Sequence, residues 1–289
     1  MKVAIVTIIG RPNVGKSSLL NSILNYELAI VSNIPQTTRD QISGVYNEEG
    51  YQIVFVDTPG VHKPLNKLGE SLNKNAFDAL SGIDCVLFLT PVNEPIGQGD
   101  KNILEKIKSR DNKIAVISKI DLAKSPSEIQ DKITQLNEYG FNKILSVSTS
   151  NPNSIRMLID ELKTFTEDGN PYYDEDYITD KSMRFMTKEI IRVSAMKLLR
   201  EELPHSIAVE VSEFIEDYNL ISIEAVIYVK KDSQKGMVIG KNAQMIKQIG
   251  TNARKQIMNL FGIKVDLRLK VKTANKWIND AKFLKKFGY

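Results

Sequence analysis

Short apolar runs rich in β-branched residues recur along the first half of the chain, at Val3 to Ile9, Gln52 to Val56, Asp84 to Leu89, Lys113 to Ile117 and Lys143 to Val147. Hydrophobicity that is nearly unbroken over so short a span marks strands buried on both faces, the pattern of a parallel sheet. Between these runs the apolar residues return every three or four positions, as Leu68, Leu72, Ala76 and Leu80 do, and Ile103, Leu104 and Ile107. That spacing predicts helices covering the sheet, so this part reads as a doubly wound α/β domain.

The alternation stops in Glu167-Asp-Gly-Asn-Pro-Tyr-Tyr-Asp-Glu-Asp-Tyr177, where Gly, Pro and a cluster of acids predict a linker. Beyond it come a helical pattern from Ser182 to Leu203, strands at Ile207 to Val211 and Ile221 to Val229, a helix around Gln244 to Leu260, and a last strand. In that strand Val265, Leu267, Leu269 and Val271 alternate with Asp266, Arg268, Lys270 and Lys272, the period-2 signature of one buried face. The expected organisation is an α/β domain over 1–168, a linker over 169–181 and a smaller α+β domain over 182–289. No internal repeat or low-complexity segment interrupts it.

The length of 289 residues suits two domains. None of the apolar runs approaches the roughly 20 residues that cross a bilayer, so no membrane-spanning helix is expected. The opening Met1-Lys2 and apolar run resemble the start of a signal peptide, but the run ends at Gly10-Arg11 without a small-residue cleavage site, and a buried strand explains it. The single cysteine, Cys85, lies in an apolar run and reads as an inert core thiol; with no disulfide to form, the chain is expected in the cytosol.

A net charge of +4 hides an uneven distribution. Residues 1–168 carry 18 Lys/Arg against 20 Asp/Glu, residues 169–180 none against 4, and residues 181–289 carry 21 against 11. The basic excess thus belongs to the second domain. It fits a domain that meets phosphate, and nucleic acid, an anionic membrane or a merely solubilising surface could each use it.

The candidate chemistry sits at the strand ends. Gly10-Arg11-Pro12-Asn13-Val14-Gly15-Lys16-Ser17-Ser18 follows the first strand and opens a helical pattern, which is the placement a P-loop needs. Its backbone N–H groups and helix N-terminus would cradle phosphate, Lys16 would reach the β- and γ-phosphates, and the Ser17 hydroxyl would bind Mg²⁺. Asp57-Thr58-Pro59-Gly60 follows another strand; Asp57 can hold the metal through water, and the Gly60 N–H can sense the γ-phosphate. Thr37-Thr38-Arg39 lies in a polar loop, where Thr38 can complete the metal shell; with Gly60 and Val61 these residues form the candidate switch segments. In Ser118-Lys119-Ile120-Asp121 the carboxylate can accept the N1–H and 2-amino group of guanine, neither of which adenine offers. Ser148-Thr149 can brace that site. Val61 stands where many GTPases carry a glutamine that orients water, so slow intrinsic turnover is expected.

In this order the motifs resemble the translation-factor-like GTPases, and the second half narrows the resemblance to the bacterial Era family. Gly10 to Ser18, Pro35-Gln-Thr-Thr-Arg39, Asp57-Thr-Pro-Gly-Val-His62, Glu202-Leu-Pro-His-Ser206, Met237-Val-Ile-Gly240 and Phe287-Gly-Tyr289 carry it over nearly the whole chain. Ser118 stands where that family usually has Asn, and Ser148-Thr149 where it usually has Ser-Ala. The resemblance implies a monovalent cation, K⁺, held partly by Asn13. It also implies binding to the 3′ region of small-subunit ribosomal RNA and a part in small-subunit maturation.

Gly240-Lys241-Asn242-Ala243, followed by an amphipathic helix, resembles the G-x-x-G loop of KH modules, which clamps the backbone of about four nucleotides. A P-loop NTPase fold followed by a KH-like domain of type II is the resulting fold class. Alanine at the second small position resists a positive φ, so an altered clamp is expected there. From Lys230 to Tyr289 there are 15 basic and 3 acidic residues, and Lys235 and Lys247 join the loop as candidate RNA contacts. The expected protein is a monomeric GTP switch that grips single-stranded RNA, cytoplasmic, with peripheral contact at the inner face of the cell membrane left open. An RNA-binding chaperone with a decayed GTPase site is the alternative, suggested by Ser118, Val61 and Ala243.

Overall fold

The computed structural model describes every residue except Asn33 and Gln36, so Gln36 of the Pro35–Arg39 motif lies outside the described residues. The chain forms two compact units: one of Met1–Val31, Thr38–Leu65 and Gly69–Asp180, the other of Ser32–Thr37, Asn66–Leu68 and Lys181–Tyr289.

In the first unit the order is β1 (Lys2–Gly10), α1 (Lys16–Leu24), β2 (Ile42–Glu48), β3 (Tyr51–Asp57), α2 (Lys67–Asp78), β4 (Cys85–Pro91), α3 (Gln98–Ile107), β5 (Lys113–Ser118), α4 (Pro126–Asn137), β6 (Lys143–Ser146), α5 (Pro152–Lys163) and β7 (Glu167–Asp168). The strands line up as β2-β3-β1-β4-β5-β6, with the two residues of β7 antiparallel to the start of β1. All five apolar runs are parallel strands. Strands β4 and β5 are buried along their whole length, as two covered faces require. Helix α3 adds Ile103, Leu104 and Ile107 to a cluster with Phe88, Ala115 and Ile117 of the sheet.

The pattern gave no strand at β2, which pairs antiparallel with β3 at the sheet edge. Its sequence, Ile-Ser-Gly-Val-Tyr-Asn-Glu, is broken by Gly44, whose missing side chain admits Leu24, Leu20 and Leu28 of the α1 side. The acidic stretch 169–180 does not leave this unit. Buried Gln52 accepts the N–H groups of Tyr172 (2.7 Å) and Tyr173 (3.1 Å) and donates to the Tyr173 carbonyl, while the Val45 N–H donates to Ile178 O at 2.8 Å. These bonds lay the stretch along the edge formed by β2 and close a row of backbone groups that would otherwise invite another strand.

The second unit contains α6 (Met183–Leu198), α7 (Leu203–Ser206), β8 (Ala208–Asp217), β9 (Leu220–Val229), α8 (Asp232–Ile239), α9 (Gln244–Phe261), β10 (Lys264–Thr273) and α10 (Ala281–Phe287). Its sheet runs β10-β9-β8, with β10 parallel and β8 antiparallel to β9. The helix expected to reach Leu203 ends at Leu198, because Leu199 turns to an extended ψ of 158°. Within this unit the buried Arg192 pairs with Glu189 and donates to the Thr37 carbonyl. Among the described residues no helix is long and apolar enough to cross a membrane.

Candidate functional site

Gly10 closes β1 where an added Cβ would lie 2.7 Å from the Leu89 carbonyl, and the chain then turns through positive φ at Asn13 (64°) and Gly15 (103°). These left-handed positions suit glycine and asparagine. Helix α1 starts at Lys16 with no side-chain cap and no acid in its first turn. Its first N–H groups and positive dipole end therefore remain available to an anion.

Lys16 is buried, and its Nζ donates to the carbonyls of Arg11 (2.8 Å) and Gly10 (3.2 Å). Burial pushes it down to about 8, opposed by the nearby Asp57 carboxylate. Asp57 is fully buried at the end of β3; burial pushes its carboxyl up to about 6, against Lys16, the Ser17 hydrogen bond and the Thr58 N–H. Ser17 Oγ donates to Asp57 Oδ2 at 2.6 Å and lies 3.0 Å from Thr38 Oγ1. Asp57 Oδ1 has no hydrogen-bond partner among the described residues. Three oxygen donors thus converge, one with a spare buried lone pair, and no nitrogen or sulfur ligand joins them. This all-oxygen set fits a hard cation such as Mg²⁺ that also binds phosphate oxygens. Among the described residues no group of three or more His, Cys, Asp or Glu could hold a metal ion.

Gly60 packs on the loop: a Cβ there would sit 2.6 Å from Pro12 N and Cα, and the Val61 N–H donates to Gly10 O at 3.2 Å. The Val61 side chain is buried in the cluster with Ile9, Phe88 and Val92, committed to the core and unable to hold water. Thr58 donates its hydroxyl to Ile8 O and so supports the loop from below. Arg39 is fully buried, and Thr37 falls with the second unit whereas Thr38 falls with the first. His62 is fixed by its backbone: its N–H donates to Asn73 Oδ1 (3.2 Å) and its carbonyl accepts from Asn73 Nδ2 (2.6 Å).

The 118–121 motif, expected to read the base, is tied to the same loop. Ser118 Oγ donates to Val14 O at 2.6 Å, so the hydroxyl that replaces the usual Asn does reach the P-loop. Lys119, itself left-handed at φ 57°, extends its Nζ to Asn13 O at 2.7 Å. Asp121 lies in a short 3₁₀ turn, Ile120–Leu122, and accepts the Ser148 hydroxyl at 2.6 Å. A cavity of about 80 Å³ is lined by Gly15, Ser18, Ser118, Lys119, Val147 and Thr149, bringing three motifs to one space. The bracing expected of Ser148 is made by its hydroxyl, and the Arg11 side chain is engaged by Glu94 and Asp100.

The RNA loop is built in the second unit. At Gly240, φ is 73° and a Cβ would meet Met245 N at 2.9 Å, which excludes any other residue. Asn242 (50°) and Ala243 (58°) are both left-handed, so alanine adopts the conformation it resists. Lys235, Lys241, Asn242 and Lys247 are exposed. Next to this loop, α9 and β10 enclose a groove of about 380 Å³ lined by Ile246, Lys247, Gly250, Thr251, Arg254, Leu267 and Leu269. The half-exposure of Leu267 and Leu269, in a strand expected to bury them, is the floor of this groove. An apolar floor flanked by two cations matches the bases and phosphates of a single strand. The spacing of Ile246, Gly250 and Arg254 on one helix face was the available signal.

Comparison with known proteins agrees with both units. A family model described as 50S ribosome-binding GTPase matches residues 5–119, and one described as KH domain matches 202–278. GTPase Era of Mycoplasmopsis agalactiae is 69% identical over 289 residues and 100% of both chains, and GTPase Era of Clostridium botulinum is 43% identical over 100% of this chain and 98% of its own. Among solved structures, Era in complex with MgGDPNP and nucleotides 1506–1542 of 16S ribosomal RNA superposes with a TM-score of 0.95, at 34% identity over 100% of this chain and 99% of that one. A variant of Aquifex aeolicus Era bound to GDP·AlF4⁻ gives the same values. With a GTPase domain, a KH unit and full-length identity of this order, the chain belongs to the Era family of GTPases.

Proposed function

We propose that this GTPase grips the 3′ region of small-subunit ribosomal RNA in the groove between α9 and β10, and that bound GTP or GDP changes that grip during small-subunit maturation. The observation that carries the reading is the pairing of a complete guanine-nucleotide constellation with an open, basic, apolar-floored groove beside a G-x-x-G-type loop. A related Era holds MgGDPNP and a 16S RNA segment together, which supports the same pair of ligands here.

In this reading the amides from Asn13 to Ser18 bind the phosphates, Lys16 leaves the Gly10 and Arg11 carbonyls for the β- and γ-oxygens, and Asp121 accepts the guanine N1–H and 2-amino group. Ser17 and Thr38 hydroxyls and Asp57, through water, hold the Mg²⁺, which supplies charge neutralisation between the β- and γ-phosphates. Asn13 would lend an oxygen to K⁺, which would supply positive charge to the transition state. No side chain replaces Val61 as an orienter of water, so intrinsic turnover is slow. The protein acts as a cytoplasmic monomer, and its basic unit can also meet an anionic membrane surface. The bonds that Ser118 and Ser148 make speak for an intact switch over a decayed one.

The test is binding of purified protein to a 3′-end small-subunit RNA oligonucleotide and to a scrambled control, with GDP and with a non-hydrolysable GTP analogue at fixed salt. Selective binding that strengthens with the GTP analogue is expected. Equal binding in every condition would leave a GTPase joined to a nonspecific RNA-binding unit.

A further inference from the structure

Most ties on the phosphate loop come from residues of the nucleotide motifs: Ser118 on the Val14 carbonyl, Lys119 on that of Asn13, Gly60 against Pro12. Arg11 is the exception. Its Nε lies 2.7 Å from Asp100 Oδ2 and one terminal nitrogen 3.0 Å from Glu94 Oε2, and neither acid belongs to a nucleotide motif.

Asp100 is fully buried at the start of α3. A buried carboxylate persists only with charge and hydrogen-bond partners. The same Oδ2 accepts the Gly97 N–H at 2.9 Å, and Oδ1 has no hydrogen-bond partner among the described residues. The first turn of α3 is shaped to receive Arg11: a Cβ on Gly99 would lie 2.8 Å from Arg11 Cδ, so the arginine stem crosses the helix on bare backbone. Lys132 donates to the carbonyl of Glu94, fixing the segment that carries the second acid. Meanwhile the Arg11 backbone carbonyl is the nearer acceptor of Lys16 Nζ. One residue therefore joins the phosphate-seeking lysine to a buried anion outside the loop.

We infer that Asp100 is a positioning residue for nucleotide binding: through the Arg11 guanidinium it fixes the phosphate loop in its binding shape and so sets the affinity for GTP and GDP. The effect falls equally on ground state and transition state, because the loop's shape is needed in both; KM changes and kcat does not. This inference rests on the nucleotide occupying the P-loop.

Asp100→Asn, Arg11→Ala and the double variant of the full chain test it, by titration with fluorescent GDP and by steady-state hydrolysis. Losing the close ion pair between Arg11 and buried Asp100 predicts that each single variant raises Kd and KM about tenfold, about 1.4 kcal/mol, with kcat within about twofold. The double variant is expected at the same tenfold, since both changes cut one link. Arg11→Lys, which keeps the charge, is expected to recover part of the loss. Affinity within about twofold of wild type for Asp100→Asn, with only a lower melting temperature, would overturn the inference. So would an additive, hundredfold loss in the double variant. If Asp100→Asn does not fold, Arg11→Ala and Arg11→Lys decide alone, because that side chain is partly exposed. Lys16→Ala in the same assay separates the premise: unchanged nucleotide binding there would mean the P-loop itself is misassigned.

Discussion

The nucleotide loop and the RNA loop begin from the same device, a glycine-bounded turn leading into a helix with no side-chain cap, and they diverge in what holds them. The first is anchored from outside by three other segments, through the side chains of Ser118, Lys119 and Asp100 and the close backbone packing of Gly60. The second is closed by its own backbone, with Ala243 N–H on Gly240 O at 3.2 Å and Gly240 N–H on Gly236 O at 2.8 Å. A small ligand of fixed shape rewards a rigid cradle, whereas a flexible polymer of variable sequence is better met by an exposed loop and an open groove. Substitutions should therefore be drastic and chemically specific at the first site, graded and salt-dependent at the second.

The largest effect is expected for Lys16→Ala. The change removes a buried ammonium and two of its hydrogen bonds. At about 1.5–3 kcal/mol per charged hydrogen bond, triphosphate affinity should fall at least about 100-fold. Isothermal titration with GTP measures it, and affinity near wild type would show that the loop does not hold phosphate.

Asp121→Asn comes next, because it exchanges an acceptor pair for an amide and so should invert the preference from guanine toward xanthine nucleotides. A site built to hydrogen-bond its ligand discriminates strongly, by about 100-fold or more. Competition between GTP and XTP reads the ratio; retained guanine preference would move base recognition elsewhere. Ser148→Ala, which removes only the bracing hydroxyl, should weaken GTP binding by about tenfold or less without changing base choice.

The second site should respond more gently. Lys241→Glu is expected to weaken RNA binding about tenfold at low salt and to lower the slope of log affinity against log salt, while GTP hydrolysis is kept. Gly250→Leu probes the apolar part of the groove: a Cβ there already lies 3.5 Å from Leu269 Cδ1, so the added bulk must fill the space meant for a base. RNA affinity should fall with an unchanged salt slope. A fall in both slopes alike would mean that loop and groove do not divide the work between phosphate and base.

How far the sequence revealed these sites follows from how local each constraint is. Lys16, Ser17, Asp57 and Asp121 were legible as candidates because they stand in or just after the loops that follow buried strands, and the structure brings Lys16, Ser17 and Asp57 together. The ion pairing of the Arg11 side chain was not legible because nothing near it in sequence hints at Asp100, far along the chain, whose carboxylate accepts the Gly97 N–H at the start of its helix. β2 stayed hidden because an edge strand with Gly44 at its centre needs no continuous apolar run. The acidic stretch read as a linker since composition cannot show that Gln52, at the head of an apolar strand, binds its backbone. Leu267 and Leu269 looked like ordinary core, as a groove floor has the same periodicity as a buried face.

A smaller effect belongs to the buried pair at the first site. The Asp57 carboxyl is pushed up to about 6 by burial, so between about pH 4 and 6 the folded protein binds this proton more tightly than the unfolded chain. Stability of the nucleotide-free protein should fall as pH rises through that window, by at most about 1.4 kcal/mol per pH unit. Lys16, lowered to about 8 by burial, acts oppositely, adding stability as pH rises from about 8 toward the ordinary lysine range. Both charges are therefore carried at a cost at neutral pH. Melting temperatures from pH 4.5 to 6.5 should show a downward slope that Asp57→Asn removes; parallel slopes in the two proteins would place the titration elsewhere.

Ala243→Gly should have the smallest effect, and it tests the contrast between the loops most directly. Left-handed positions in the nucleotide loop fall to Asn13 and Gly15, which tolerate them, whereas in the RNA loop one falls to an alanine at φ 58°. Holding alanine there costs about 1–2 kcal/mol, and replacing it with glycine returns that amount less the about 0.4–1 kcal/mol that a freer unfolded chain takes back. The net gain, between about zero and about 1.6 kcal/mol, should raise the melting temperature of the second unit by a few degrees. RNA affinity should rise no more than about fivefold, since the loop already has the shape that glycine would prefer and only its stability changes. A lower melting temperature would mean that contacts of the Ala243 methyl outweigh the strain; a tenfold or greater gain in RNA affinity would mean that the alanine holds the loop out of its clamping shape, and that the loop in this chain restrains RNA binding as well as performing it.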